Sequence, residues 1–492
     1  MTATSSAKHA SPTTRTSTGK PASTIRRLIR WRNTPERIRG LTASIIVVTI
    51  AFGIIVAAIF ASVSGGVHLI GGQAAPEVKA STDLYFRLND MDAQVANILL
   101  VGDRNGLGQT RQQSQAIFDR DRSSADHDLQ DAAAVAGSSQ AAQQAVRSVL
   151  DGLGRYEALV GQIIYLENAG PSKPGRPPTA ALTVYRTATD LLRTGILPAA
   201  SKLTTANAAA LTATYQAKHS LAGRAALLTL LIGLVLIGAL VGMQLFISAT
   251  HRRLLNPALA GATLITIALT AAGALSFAAQ AHDLHVAKQD AFDSISALSQ
   301  ARAVSYDANA NESRYLVDPG RAGQYQQDFE SESQELARVN TTSIFGYDAA
   351  LATAVTAYRA NHAHVGFGGF FGIEFRNITF PGERVAAQRT LYTYQIYEKY
   401  DRRLRALDRS GDLSGAIAFD TSSAPGNSNW AFYRYDQALT SLIGINQHAL
   451  DNAITASEHG ETGWTGPIPL GAMLAIVVLS FVGARARLAE YR

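Results

Sequence analysis

The sequence predicts an all-α membrane protein with four transmembrane helices and two exported up-down helical bundles, arranged as tandem duplicate halves. Three observations indicate this fold class: four apolar runs contain no charged residue, apolar side chains recur at helical spacing between the runs, and no long stretch alternates as a β-strand does. Two of the runs, residues 225–247 and 257–279, are each about 23 residues long. That length is enough to cross a hydrocarbon layer of ~30 Å.

The short turn between the second and third runs decides the predicted topology. It contains Arg252 and Arg253, and positively charged turns are retained on the cytoplasmic side. Both termini are then cytoplasmic, and the chain is predicted to be a multi-pass protein of the cell membrane. Asn256 followed by Pro257 predicts a capped start for the third span. The predicted segments are a disordered basic cytoplasmic tail (1–40), transmembrane helices (41–63, 225–247, 257–279 and 467–484), exported bundles (64–224 and 280–466), a cytoplasmic turn (248–256) and a cytoplasmic tail (485–492).

The formal net charge of +6 is unevenly distributed along the chain. Lys and Arg are in excess in the predicted cytoplasmic segments, so the exported regions are net acidic although the sequence pI is about 9.4. This distribution favours the predicted topology and contact with anionic membrane lipids, and it argues against nucleic acid as a partner. Cysteine is absent, which excludes disulfides and thiol catalysis.

The first exported region begins with a helix whose apolar residues follow the spacing of a packed bundle. The region then continues with two further helices, a Gly/Pro-rich loop at residues 169–178, and a last helix that runs into the second span with a predicted kink at Pro198. The residues of the first seam, predicted to be bundle core, are Leu84, Leu88, Met91, Val95 and Ile98.

The second exported region repeats this plan with interruptions. Its first helix is predicted to end at Asp318, before Pro319 and Gly320. An insertion at residues 365–382, dense in Gly and Phe, and a stretch at residues 410–429 are predicted to be irregular. Residues 92–103 align without a gap with residues 307–318, and both stretches end the first exported helix of their half. The alignment indicates a tandem duplication.

No motif for catalysis, for a cofactor or for a metal ion is found, and the chain is predicted not to be an enzyme. The candidate contacts with a ligand or partner lie in the second exported region. One set is a polar turn at the helix end, where the alternative is pairing within the bundle. The other set is aromatic, where the alternative is core packing. The candidates are Asn311, Glu312, Arg314, Tyr315, Phe370 and Phe371, together with Arg252 and Arg253 as a cytoplasmic relay.

The stretch from Asn311 to Pro319 (NESRYLVDP) resembles the helix ending of bundle sensors. Two span–bundle–span units with short cytoplasmic ends resemble GlnX, the membrane component of the actinobacterial GlnH–GlnX–PknG amino-acid-sensing system. The resemblance implies two partners: an extracytoplasmic solute-binding protein and a cytosolic Ser/Thr kinase. No residue that contacts the kinase can be assigned from it.

The resulting prediction is a membrane sensor that receives an extracellular amino-acid signal, through a solute-binding protein, and relays it to a cytosolic partner such as a Ser/Thr kinase. An alternative is a membrane scaffold or assembly protein that holds an extracytoplasmic partner. A transporter component is less favoured, because ionisable groups are absent from all four spans. Gly238 and Gly242 form a GxxxG pattern that would suit a homodimer.

Overall fold

A computed structural model describes residues 34–69, 72, 75–102, 107–135, 140–170, 172–251, 256–341 and 344–488. The described residues form helices joined by short turns and contain no β-strand, which confirms the all-α prediction. Arg252, Arg253 and most of the N-terminal tail lie outside the described residues.

The helices follow the predicted order along the chain. They are α1 (Thr34–Leu69), α2 (Ala75–Val101), α3 (Arg111–Val135), α4 (Gln140–Asn168), α5 (Thr179–Leu191), α6 (Leu197–His251), α7 (Pro257–His285), α8 (Asp293–Val317), α9 (Ala322–Leu336), α10 (Ile344–Ala360), α11 (Gly369–Asn377), α12 (Glu383–Arg409), α13 (Leu413–Thr421), α14 (Ser428–Thr465) and α15 (Pro467–Leu488). Two π-helical segments, Leu192–Ile196 and Val286–Phe292, join α5 to α6 and α7 to α8.

Among the described residues, four helical stretches are long and apolar enough to cross a membrane. They are Pro35–Val63, Leu211–Ala249, Pro257–Val317 and Pro467–Ala486. The third is continuous with the helix that carries the polar turn predicted as a contact, and its uncharged part is residues 257–279. These four helices are those of a multi-pass membrane protein.

The chain divides into two compact units. The first, here called the span unit, contains the described residues up to Ile54, those within Leu231–Ala271 and those from Pro469 onward. Within it, the Asn256 side chain accepts hydrogen bonds from the backbone N–H groups of Ala258 and Leu259, at 3.2 and 3.5 Å. Asn256 also donates to the carbonyl of Gly483 at 3.1 Å, so the predicted cap at the start of α7 is present and ties it to α15.

The second unit, here called the bundle unit, contains Ile55–Leu230 and Ala272–Ile468. It includes both stretches that the sequence treats as separate bundles. The five predicted seam residues of α2 are all buried, as expected for a bundle core. Helix α2 packs against α3 of its own half and also against α8 of the other half. The two halves therefore share one interior.

Two segments predicted to be irregular contain short helices. Helix α11 lies in the Gly/Phe-rich insertion, and α13 lies in the stretch at 410–429. The glycines of both segments lower the helix propensity, so the sequence alone does not indicate a helix there. The burial of aromatic side chains stabilises α11 in place of helix propensity. Phe367, Phe371 and Phe375 are nearly inaccessible to solvent, and the Phe367 and Phe375 rings pack edge to face at 5.0 Å.

The predicted kink at Pro198 coincides with the first π-helical segment. Proline has no backbone N–H, so it cannot continue the regular hydrogen-bond pattern of the preceding turn. The backbone N–H of Leu197 instead donates to the carbonyl of Leu192, a π-type bond to the fifth residue back. The helix thus passes Pro198 with a local widening, and Arg193 and Thr194 of this segment line a cavity described below.

Candidate functional site

The centre of the bundle unit is a buried ion-pair network around Arg314. The side chain of Arg314 is 0% exposed. Its Nε donates to Asp92 Oδ2 at 2.8 Å, and its Nη1 donates to Asp307 Oδ1 at 2.6 Å and to Asn311 Oδ1 at 2.9 Å. Asp92 lies on α2 of the first half, whereas the other residues lie on α8 of the second half. Arg314 therefore joins the two halves in the interior.

Asp92 is held by donors from its own half as well. The hydroxyls of Tyr156, Tyr185 and Thr189 donate to its carboxylate at 3.1, 3.4 and 3.0 Å. Burial and the charge of Asp92 raise the pKa values of both tyrosines, so these hydroxyls remain donors. A buried carboxylate is stable only when its lone pairs are satisfied in this way.

The alignment of the halves places Asp92 opposite Asp307, and the structure brings these two aspartates to the same arginine. The position equivalent to Arg314 in the first half is Leu99, which is a buried core residue. One half thus supplies a carboxylate and the other supplies both a carboxylate and the cation. The alignment singles out the aspartates, but it gives no sign that they converge.

The predicted contacts of the polar turn are with protein groups. Asn311 donates to both oxygens of Glu332 at 2.9 Å. Glu312 is 0% exposed and accepts hydrogen bonds from Asn309 and Ser428, each at 3.1 Å. These contacts correspond to the alternative in which the turn pairs within the bundle.

Tyr315 and the two aromatic candidates lie elsewhere. The Tyr315 hydroxyl donates to Asp408 at 3.0 Å, and the Arg405 guanidinium lies 4.6 Å from the Tyr315 ring centroid. Phe371 is 0% exposed in the core. Phe370 is partly exposed and lines a cavity, so the insertion divides its aromatic residues between packing and an accessible surface.

Two neighbouring cavities open beside the Arg314 network. One has a volume of about 430 Å³ and the other of about 340 Å³, and both are lined by Tyr85 and Ser201. Asp307 lines the larger cavity while also accepting from Arg314, so it links the network to the cavity surface. The volumes suit a ligand of amino-acid size. Residue spacing along the chain gives no indication of these cavities, since their walls come from the first π-helical segment and six helices: α2, α5, α6, α8, α9 and α11.

The cavities and the Arg314 network are suited to binding a small molecule and to coupling the two halves of the bundle unit. Among the described residues, no group of three or more His, Asp or Glu side chains is placed to hold a metal ion. The cavity walls instead carry carboxylates, one guanidinium, hydroxyls and amides, on helices from both halves. A molecule bound there would contact both α2 and α8, the two helices that Arg314 and Asp92 hold together.

A family model for an actinobacterial sensor domain matches residues 66–216. No curated protein and no solved structure matches the chain. The matched stretch supplies Asp92, Tyr156, Tyr185 and Thr189, whereas Arg314 lies beyond it. The chain is therefore similar to a sensor domain over residues 66–216, and it also carries four helices long and apolar enough to span a membrane.

Proposed function

We propose that the protein is a GlnX-like relay that carries an extracellular amino-acid signal across the cell membrane. In this proposal both termini are cytoplasmic, the bundle unit is extracytoplasmic, and the protein has no enzymatic activity of its own. A solute-binding protein brings the amino-acid signal, and a cytosolic Ser/Thr kinase reads it. The observation that carries the proposal is the sensor-domain match over residues 66–216 in a chain with four apolar helices.

The continuity of individual helices supports this role. Helix α6 runs without a break from the cavity residues Leu197 and Ser201 to the apolar residues 225–247. The stretch Pro257–Val317 is likewise helical from its apolar part to Arg314. A difference of ~1–3 kcal/mol between two packings of such helices is sufficient for signalling. Arg252 and Arg253 join α6 to α7 in sequence and remain candidates for the cytoplasmic relay.

Gly238 and Gly242 remain candidates for a homodimer contact. A Cβ atom added at either glycine would meet no described neighbour within 4 Å. That face of α6 would therefore allow close approach of a second copy within the membrane.

The relay is tested by cross-linking in native membranes, followed by purification of the protein and identification of what is bound to it. The expected result is capture of a solute-binding protein by residues of the bundle unit and of a Ser/Thr kinase by the cytoplasmic segments. Capture of an extracytoplasmic protein alone, under every amino-acid condition, would favour the alternative of a membrane scaffold. The fully buried Arg314–Asp92 pair is compatible with that alternative, because it joins the two halves of the unit.

A further inference from the structure

The two cavities beside Arg314 are walled by groups from both halves and carry an excess of negative charge. Asp190 and Asp307 line the larger cavity together with Arg193, and Glu335 lines the smaller one. Burial and the charge of Asp307 raise the pKa of the Glu335 carboxyl. The two carboxylates are therefore close enough to repel each other. Their mutual repulsion would be relieved by a cation between them.

The other charged groups of the walls already have partners. Asp190 pairs with Arg321 at 2.7 Å, and Arg193 pairs with Asp328 at 2.7 Å. Asp307 shares Arg314 with Asp92. Glu335 has no ion pair within 4 Å among the described residues, although the nearby charge of Arg338 partly offsets the effect of Asp307 on its carboxyl. Because Asp92 and Asp307 share one arginine, the balance of charge around the cavities is negative.

The two cavities meet at an aromatic side chain. Tyr85 lines both, and Phe370 lines the smaller one together with Gln300 and Glu335. Burial, together with the charges of Asp307, Glu332 and Glu335, raises the pKa of the Tyr85 hydroxyl. Tyr85 therefore lies within the field of both carboxylates. An aromatic face, two carboxylates and uncharged hydroxyls and amides are the groups that recognise an organic cation.

We propose that these joined cavities form a binding site for a small organic cation, an ammonium or guanidinium group on a short aliphatic chain. The charged group lies near Tyr85, between Asp307 and Glu335, and the chain extends along Ser201. The proposal gives the sensory function a ligand class that binds the bundle unit directly, and for its biological purpose it rests on that function. Binding itself requires neither the solute-binding protein nor the kinase.

The test is calorimetry on the full-length protein in lipid nanodiscs at pH 7.5, without partners. The probes are L-arginine, L-lysine and putrescine, compared with L-glutamine and L-glutamate. We expect saturable binding of at least one cationic probe and none of L-glutamate. Glu335→Gln should weaken that binding by about tenfold, the effect of removing one hydrogen bond to a charged group. The matched control Glu330→Gln changes a residue of the same helix outside both cavities, and it should leave affinity unchanged.

A second pair of variants tests the location without removing charge from the walls. Ser201 is exposed and borders both cavities, so Ser201→Trp should fill them and abolish binding. The control Lys202→Trp lies next to it, outside the walls, and should retain binding. The proposal is overturned if no cationic probe binds, if L-glutamate binds in preference, or if binding survives both Glu335→Gln and Ser201→Trp. None of these results depends on the relay, which is tested separately by partner capture.

Discussion

At the scale of single residues, Arg314 joins the two halves of the bundle unit through buried ion pairs. Its charge is fully buried and is shared between Asp92 and Asp307. Removing one partner of such a network leaves charges buried without compensation, which typically costs ~3–5 kcal/mol. Arg314 was predicted as a ligand contact because an arginine fork suits a carboxylate, and the structure gives it carboxylates of the protein.

We predict that Arg314→Met lowers the free energy of unfolding by ~3–5 kcal/mol, since Asp92 and Asp307 lose their cation. Arg321→Met is the control, because Arg321 and Asp190 form a partly exposed pair worth no more than ~1 kcal/mol. Thermal unfolding of the two proteins in detergent compares them directly. A melting temperature for Arg314→Met equal to that of the control would contradict the assigned role of the network.

A second residue-scale prediction concerns pH. Burial and the neighbouring Glu383 carboxylate raise the pKa of Glu374 to about 8, and burial raises the pKa of Asp90 to about 8 and of Glu398 to about 7. In the unfolded chain such groups titrate near ~4. At pH values between ~4 and the folded pKa values, the folded protein therefore binds more protons than the unfolded chain does. Its free energy of unfolding decreases as pH rises through the folded pKa values.

The melting temperature should accordingly be higher at pH 6 than at pH 8. Glu374→Gln replaces a carboxyl that ionises with an amide that cannot, so this variant should be more stable than the wild type at pH 8 and should show a smaller difference between the two pH values. Glu330→Gln should melt like the wild type at both. A Glu374→Gln protein that is less stable than the wild type at pH 8 would show that the ionised Glu374 side chain stabilises the fold, which contradicts the prediction.

At the scale of elements, the Gly/Phe-rich insertion shows what the sequence did and did not predict. Periodicity predicted the long helices to within a few residues, because the apolar positions of α2, α4 and α12 repeat every three to four residues. Helix α11 escaped prediction because its stability comes from the burial of Phe371 and Phe375 against other helices. Such long-range burial has no local signature.

The start of α11 gives an element-scale prediction. Gly369 has φ +69°, and a Cβ atom there would lie 2.3 Å from the backbone carbonyl oxygen of Glu335. Gly382 has φ +85° but would meet nothing within 4 Å. Gly369→Ala should therefore destabilise the protein more than Gly382→Ala, which carries only the backbone strain of ~1–2 kcal/mol. Equal melting temperatures for the two variants would place α11 away from α9.

At the scale of the whole molecule, the sequence predicted the helical class and the four apolar helices but not the shared interior of the two halves. Asp92 and Arg314 are separated by 222 positions, and pairing over such a distance leaves no pattern in a single sequence. The cavities leave no such pattern either, because their walls combine residues that are far apart in the sequence. Asn311, Glu312 and Arg314 stand out in the sequence for their polarity, and the interior uses these polar groups for its own hydrogen bonds.

The absence of cysteine allows a topology measurement without background labelling. Ser148→Cys and Ser423→Cys lie at exposed positions of the bundle unit, and Ala249→Cys lies near the end of α6. A membrane-impermeant thiol reagent should label the first two in intact cells and the third only after permeabilisation. Labelling of Ala249→Cys from outside would reverse the proposed orientation of the chain.

The central claim is that an external signal changes the cytoplasmic end of α6. The most direct measurement is electron paramagnetic resonance of a spin label on Ala249→Cys, in right-side-out native membrane vesicles that retain their binding proteins. Adding amino acids to the outside should change the mobility of the label, whereas a label on Ser148→Cys controls for general changes in the vesicles. An unchanged spectrum at Ala249→Cys with every external amino acid would contradict the relay and favour a static scaffold.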